Sequence, residues 1–211
     1  YEEALFDDAA PPIDPGVFRI VHTGTVYGAR QDLSAFFRAL AGLRTAGAFG
    51  HLRPEVVFAG KVETQSVDAA RAAGVLDLVQ LLGFVPHHES IRLLRSATVN
   101  LLLTWSVPGW VAKGVCPGKM YEQIAAGRPV LALALPDCEA AEVTREAGGT
   151  LVADPHDEQG IRDALARLVA AARAGDAATA APPRVADPTP WSRRVAAARL
   201  ASTLDRVVRT A

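Results

Sequence analysis

Short apolar runs recur along the chain, each followed by a stretch with helical spacing, and this alternation is what most narrows the fold. Phe18 to His22, Glu55 to Gly60, Val79 to Leu82, Val99 to Leu103, Val130 to Ala134 and Thr150 to Val152 read as strands. Between the first two, Asp32 offers an N-cap for a helix carrying Leu33, Phe36, Phe37, Leu40 and Leu43 on its apolar side. Further helical patterns run from about Ser66 to Ala73, over Ile91 to Leu94, after Gly118, from about Asp137 to Ala147, and from Asp157 through Ala174. Val99-Asn100-Leu101-Leu102-Leu103 is apolar at nearly every position, as in a strand covered on both faces. A strand with one wet face would alternate instead. The pattern therefore predicts an α/β fold, doubly wound and Rossmann-like, with a parallel sheet of about six strands and helices on both faces. A tail helix is expected from Trp191 to Val208, with Ala197, Leu200, Ala201, Leu204 and Val208 along one side.

Four segments follow from composition. Residues 1–16 turn from acidic to proline-rich and are expected to be an interdomain linker. Residues 17–174 form the folded domain, 175–190 are rich in Ala, Pro, Asp and Thr and read as a flexible connection, and 191–211 are the tail helix. With 50% apolar and 21% charged residues among 211, the chain can bury a sizeable core. A net charge of −1 makes no electrostatic case for nucleic acid, and Arg193-Arg194 is the only adjacent basic pair. The longest apolar run, Val130 to Leu135, falls far short of the roughly 20 residues that span a bilayer, and no basic segment followed by an apolar one opens the chain. Cys116 and Cys138 have neither CxxC nor paired-His spacing, which suits a reducing cytoplasm and argues against zinc or a disulfide framework. No metal site is expected.

The most informative chemistry lies in Pro117 to Leu133, a short helix closed by Gly127 and Pro129 and then a strand. Lys119, Glu122 and Gln123 share one helical face at i, i+3 and i+4, while Met120 and Ile124 share another that can pack on a sheet. Free N–H groups after Pro117-Gly118, together with the Lys119 ammonium, suit a phosphate. A carboxylate one turn on would repel that phosphate but can accept hydrogen bonds from a pair of sugar hydroxyls. The residues alone equally allow a surface ion pair between Lys119 and Glu122. Thr23 to Arg30 is a glycine-bearing loop from strand to helix that can bring backbone N–H groups to a phosphate, although it is not GxGxxG and a plain turn also explains it. His87 and His88 have no third metal ligand at a useful spacing, so capping and solvent exposure are expected of them. Thr104 to Cys116, with Trp105 and Trp110, is a long loop at a strand's carboxyl end, where open α/β sheets bind ligands; either Trp can wall a pocket or pack the loop on itself.

From Pro117 the chain reads Pro-x-Lys-x-x-Glu-x-x-Ala-x-Gly-Arg-Pro-Val-Leu-Ala, which resembles the donor-site helix of GT-B glycosyltransferases of the group 1 type, family 4. The resemblance implies that Glu122 binds the nucleotide ribose, that Lys119 faces the diphosphate, and that Pro117 and Gly118 line the donor site. His22-Thr-Gly-Thr-Val-Tyr-Gly-Ala-Arg30 is similar to the family's first strand and loop, which puts Gly24 and Thr25 beside the donor and makes Arg30 a diphosphate ligand. The family's usual Arg and Lys in that loop are replaced near Thr25 and Gln31. Gly83-Phe-Val-Pro-His-His-Glu89 resembles a turn whose backbone and apolar side chain, here Phe84 and Val85, pack on the base, and Asp154-Pro-x-Asp157 resembles a P-x-D turn. The first acid of the family's E-x7-E pattern would fall on Gly114 and is absent. Ala4 to Asp8 resembles the segment by which family members leave their N-terminal domain, and with no initiator Met the chain is expected to begin mid-protein.

The resemblance covers about residues 17 to 170 and is specific to the superfamily, not to a sugar. It implies transfer of a hexosyl-type sugar from a nucleotide diphosphate sugar to an acceptor hydroxyl, with retention, no cofactor and no required metal. The acceptor is expected to bind a preceding N-terminal domain, leaving this chain inactive alone, in the cytoplasm, with the full enzyme able to associate with a membrane. Two alternatives stay open: a nucleotide-sugar epimerase of the same architecture, which ordinarily adds acid and base carboxylates, and a noncatalytic nucleotide- or partner-binding module.

Overall fold

The computed structural model describes residues 1–106, 113–175, 185 and 187–209. Six strands, β1 (Val17–Thr23), β2 (Arg53–Ala59), β3 (Val79–Gly83), β4 (Val99–Leu103), β5 (Val130–Leu133) and β6 (Thr150–Ala153), form one sheet in the order β3-β2-β1-β4-β5-β6. Every pairing is parallel. The crossovers carry α1 (Ser34–Thr45), α2 (Thr64–Ala72), α3 (His87–Ser96), α4 (Lys119–Ala125), α5 (Glu139–Ala147) and α6 (Glu158–Ala174), and α7 (Arg193–Arg209) closes the chain.

The apolar runs are explained by two covered faces. Leu101, Leu103, Leu131 and Leu133 pack with Phe36 and Leu40 of α1 and Leu165 and Leu168 of α6. Their neighbours Leu102, Val130 and Ala132 point the other way, into a cluster with Met120 and Ile124 of α4 and Ala140 and Ala141 of α5. Val21 and Val57 meet Ile91 and Leu94 of α3 on that same side of the sheet. At about 1.5–3 kcal/mol for each large side chain buried, this two-sided core is the main support of the domain.

Several boundaries differ from those expected. β2 starts at Arg53, because Arg53 and Pro54 already pair with Val17 and Phe18. α1 starts at Ser34 with Leu33 in the cap position, and Asp32 works from one residue further out: its Oδ1 accepts from Ser34 N at 2.9 Å and Ser34 Oγ at 2.6 Å. α2 runs from Thr64 to Ala72, two residues early at its start. Asp157 caps α6, its Oδ1 accepting from Gly160 N at 3.0 Å.

Leu5 and Phe6, in the segment expected as a linker, pack against the α3 cluster, and Arg95 lies over the Phe6 ring. Residues 176–184 and 186, most of the expected flexible connection, lie outside the described residues. Trp191 stacks on Tyr121 of α4 at 6.3 Å, Tyr1 N donates to Trp191 O at 3.0 Å, and Arg193 N donates to Tyr1 O at 2.9 Å. Beyond that anchor α7 buries no residue, so the apolar side carrying Leu200, Leu204 and Val208 is exposed. Among the described residues no helix is long and apolar enough to cross a membrane.

Candidate functional site

The strand order reverses between β1 and β4, and these two strands pair only at Ile20↔Val99 and Val21↔Asn100. Past that point they part, and side chains take over the backbone groups left behind. The Leu101 carbonyl accepts from His22 Nδ1 at 2.9 Å and from Gln123 Nε2 at 3.2 Å. The Leu103 carbonyl accepts from Gln31 Nε2 at 3.2 Å. An unpaired buried carbonyl would be costly, so these amides and this imidazole are what keep the sheet open here. Such a reversal is where open α/β sheets bind ligands.

Lys119, the first residue of α4, reaches into this opening. Its Nζ lies 2.9 Å from His22 Nε2. Burial lowers the ammonium to about 8, from an ordinary 10.5, while burial and the neighbouring ammonium push His22 down to about 3. Above Lys119 sits the turn after β1. Gly24 has φ +102°, and a Cβ there would stand 3.3 Å from Lys119 Nζ. Gly24 N donates to Ala59 O at 2.7 Å, and Gly60, at φ +142°, approaches so closely that a Cβ on it would lie 2.3 Å from the Gly24 carbonyl oxygen. Val26 N donates to Lys61 O at 2.8 Å, so the turns after β1 and β2 are laced together. This is a close backbone approach that only glycine permits.

One helical turn along α4, Glu122 Oε1 accepts from His87 Nε2 at 2.8 Å. Glu122 also lines a cavity of about 510 Å³ with Gly118, Tyr121, Trp191, Arg193 and Arg199. Phe84, in the turn after β3, is 82% exposed, and Val85 is half-buried.

A family model described as "Glycosyl transferases group 1" matches residues 17–171. The chain belongs to this family. No curated protein matches its sequence. Among solved structures it is similar to WaaG, a glycosyltransferase involved in lipopolysaccharide biosynthesis (TM-score 0.54, 19% identity, 76% of this chain and 40% of that one). Sucrose-phosphate synthase from Thermosynechococcus elongatus gives a TM-score of 0.62 at 16% identity, over 100% of this chain and 52% of that one. The C-terminal domain of the group 1 family glycosyl transferase LpcC from Francisella tularensis gives 0.57 at 15% identity, over 86% of this chain and 94% of that domain. At these identities the likeness is one of fold. This group 1 glycosyl transferase chain spans 40% of WaaG and 52% of the synthase.

Within the group 1 domain, the three polar residues of α4 do not act as one face. Lys119 turns to His22, Glu122 to His87, and Gln123, fully buried, braces Leu101. The surface ion pair between Lys119 and Glu122 is thus replaced by two separate partnerships. Gln31, where the family has a cation, is 5% exposed and braces the loop, accepting from Tyr27 N at 2.9 Å as well as donating to Leu103. Arg30 is exposed in a single 3-10 turn, its guanidinium 5.0 Å from the Trp105 ring centroid. Trp105 therefore packs the loop against Arg30, while Trp110 lies outside the described residues. Thr25 is half-buried beside Gly24, Pro117 is half-buried and Gly118 exposed at the start of α4. Cys138 is buried, and the Cys116 thiol is pushed up to about 11 by burial and then by Glu139. Among the described residues no three metal-ligating side chains cluster.

His22 and His87 are the participants that sequence reasoning missed. His22 was readable only as a strand residue, and His87 only as an exposed helix start; the partners of both lie on α4.

Proposed function

We propose that this domain binds the nucleotide diphosphate of a sugar donor in a retaining glycosyltransferase that moves a hexosyl-type sugar onto an acceptor hydroxyl. The observation that carries the reading is the Lys119 ammonium held against the Gly24 turn at the opening between β1 and β4. Breaking the anomeric C–O bond leaves negative charge on the departing diphosphate. The backbone N–H groups of Thr25 and Gly118, with Lys119 and Arg30, stabilise that charge electrostatically. A divalent ion is not needed in this role. Glu122 orients the nucleotide through the ribose hydroxyls, and Phe84 and Val85 offer an apolar surface to the base. Acceptor recognition belongs to a second domain, in keeping with the 40% and 52% of the longer relatives that this chain spans. Alone, the chain binds donor on the cytoplasmic side and does not turn over.

Isothermal titration with UDP, GDP, ADP and dTDP, with and without magnesium, tests this. One of the four is expected to bind without metal and to lose affinity in Glu122→Ala. Silence across the panel, both in this chain and in a longer protein carrying the acceptor domain, would overturn the reading.

A further inference from the structure

His22 is fully buried between the end of β1 and Lys119. A carbonyl oxygen can only accept, so the bond to Leu101 O at 2.9 Å obliges Nδ1 to carry the ring proton. Nε2 is then a bare lone pair, 2.9 Å from Lys119 Nζ. The imidazole is thus a fixed, neutral acceptor whose orientation is set by β4. An acceptor of this kind takes one N–H of the ammonium, favours its charged form against the burial that opposes it, and leaves two N–H groups for a ligand. The Gly24 turn stands on the ligand side, 3.3 Å from Nζ at the position a Cβ would take. Of the charged groups on neighbouring elements, Glu122 of the same helix is bonded to His87 of α3 and Arg30 of the β1 loop lies over Trp105, while the Thr25 backbone also contacts the His22 ring.

We propose that His22 is a positioning residue for the donor phosphates, holding the Lys119 ammonium charged and aimed at the Gly24 turn. The inference rests on the donor-binding reading of Lys119 above. It makes His22 a part of the binding machinery that never touches the ligand.

Two shapes of replacement separate this role from a merely structural one. His22→Asn keeps a donor where Nδ1 stands, for Leu101, but has nothing that reaches Nζ. His22→Gln places an amide oxygen near the position of Nε2 and restores an acceptor. His22→Phe is a second loss variant of similar shape, in which Leu101 O still accepts from Gln123. UDP, GDP, ADP and dTDP are titrated into the wild-type chain, these variants and Lys119→Met from about pH 6 to pH 10, with unfolding midpoints confirming that each variant is folded.

For the nucleotide that binds, wild-type affinity is expected to fall above pH about 8 as Lys119 loses its proton. His22→Asn and His22→Phe should bind about tenfold more weakly and show the alkaline fall at lower pH, and His22→Gln should recover most of both. Folded His22→Asn or His22→Phe with wild-type affinity and an unmoved alkaline limb overturns the inference, while weakened Lys119→Met leaves the donor reading standing. Lys119→Met binding as tightly as wild type overturns both, as does silence in the wild-type chain and in the longer protein carrying the acceptor domain.

Discussion

His87 Nε2 donates to Glu122 Oε1 at 2.8 Å, joining the first residue of α3 to the first turn of α4 across 35 residues of sequence. The bond occupies one carboxylate oxygen and holds the group at the wall of the cavity beside Gly118 and Tyr121. Glu122→Ala is expected to weaken nucleoside diphosphate binding about tenfold or more with little change in stability, since Glu122 belongs to no core cluster. A 2′,3′-dideoxy nucleotide should show the same loss on the wild-type chain and no further loss on Glu122→Ala. Equal affinity of dideoxy and parent nucleotides for wild type would contradict a ribose role. His87→Ala should cost less, because its side chain is 57% exposed and the pair is screened by water.

Lys119→Ala, in the protein carrying its acceptor domain, is expected to lower turnover on the order of 100-fold, the usual cost of removing one fixed group that stabilises transition-state charge. Single-turnover measurements at saturating donor separate this from weaker binding. Unchanged turnover would remove Lys119 from the mechanism.

Stability should depend on pH through the buried pair. His22 is held at about 3 in the folded domain against 6.5 when exposed, so only the unfolded chain takes up a proton between these values. The contribution is complete above about pH 6.5 and is lost as pH falls towards 3. Lys119, held at about 8 against 10.5, makes the domain gain stability as pH rises through that window. Urea midpoints measured along pH should climb more steeply from acid to neutral in wild type than in His22→Phe, which has no proton to bind. Parallel curves for the two proteins would refute the assignment.

Gly60→Ala should disrupt the Gly24 turn. Its Cβ would stand 2.3 Å from the Gly24 carbonyl oxygen, a backbone atom that cannot swing aside, and φ +142° disfavours any side chain. A loss of roughly 2 kcal/mol or more is expected, together with weakened nucleotide binding. Gly74→Ala is a control for positive φ alone: at φ +70° nothing lies within 4 Å of its would-be Cβ, so it should lower the urea midpoint less and spare binding.

Much of the architecture is legible in the sequence. Runs such as Val99 to Leu103 are apolar throughout because Leu101 and Leu103 face α1 and α6 while Leu102 faces α4 and α5. A strand covered on both sides writes that fact into its own composition. The helices were similarly readable from their period, with errors of a residue or two where Asp32 caps from outside and where β2 begins on Arg53. Lys119 and Glu122 stand out because their spacing and the glycine that follows are local. Their partners do not, and Gln123 shares their helical side by spacing, yet it is buried and donates to Leu101 O.

What the sequence by itself determined, then, is the succession of elements and the two faces each strand must bury, since periodicity is a local record of burial. The tertiary structure alone decided that β1 and β4 part after Val21 and Asn100, and so opened the site. It also brought His22 to Lys119 across 97 residues, and His87 to Glu122. A hydrogen bond depends on where two side chains end in space, and that is set by strand order and helix packing, which no local repeat encodes.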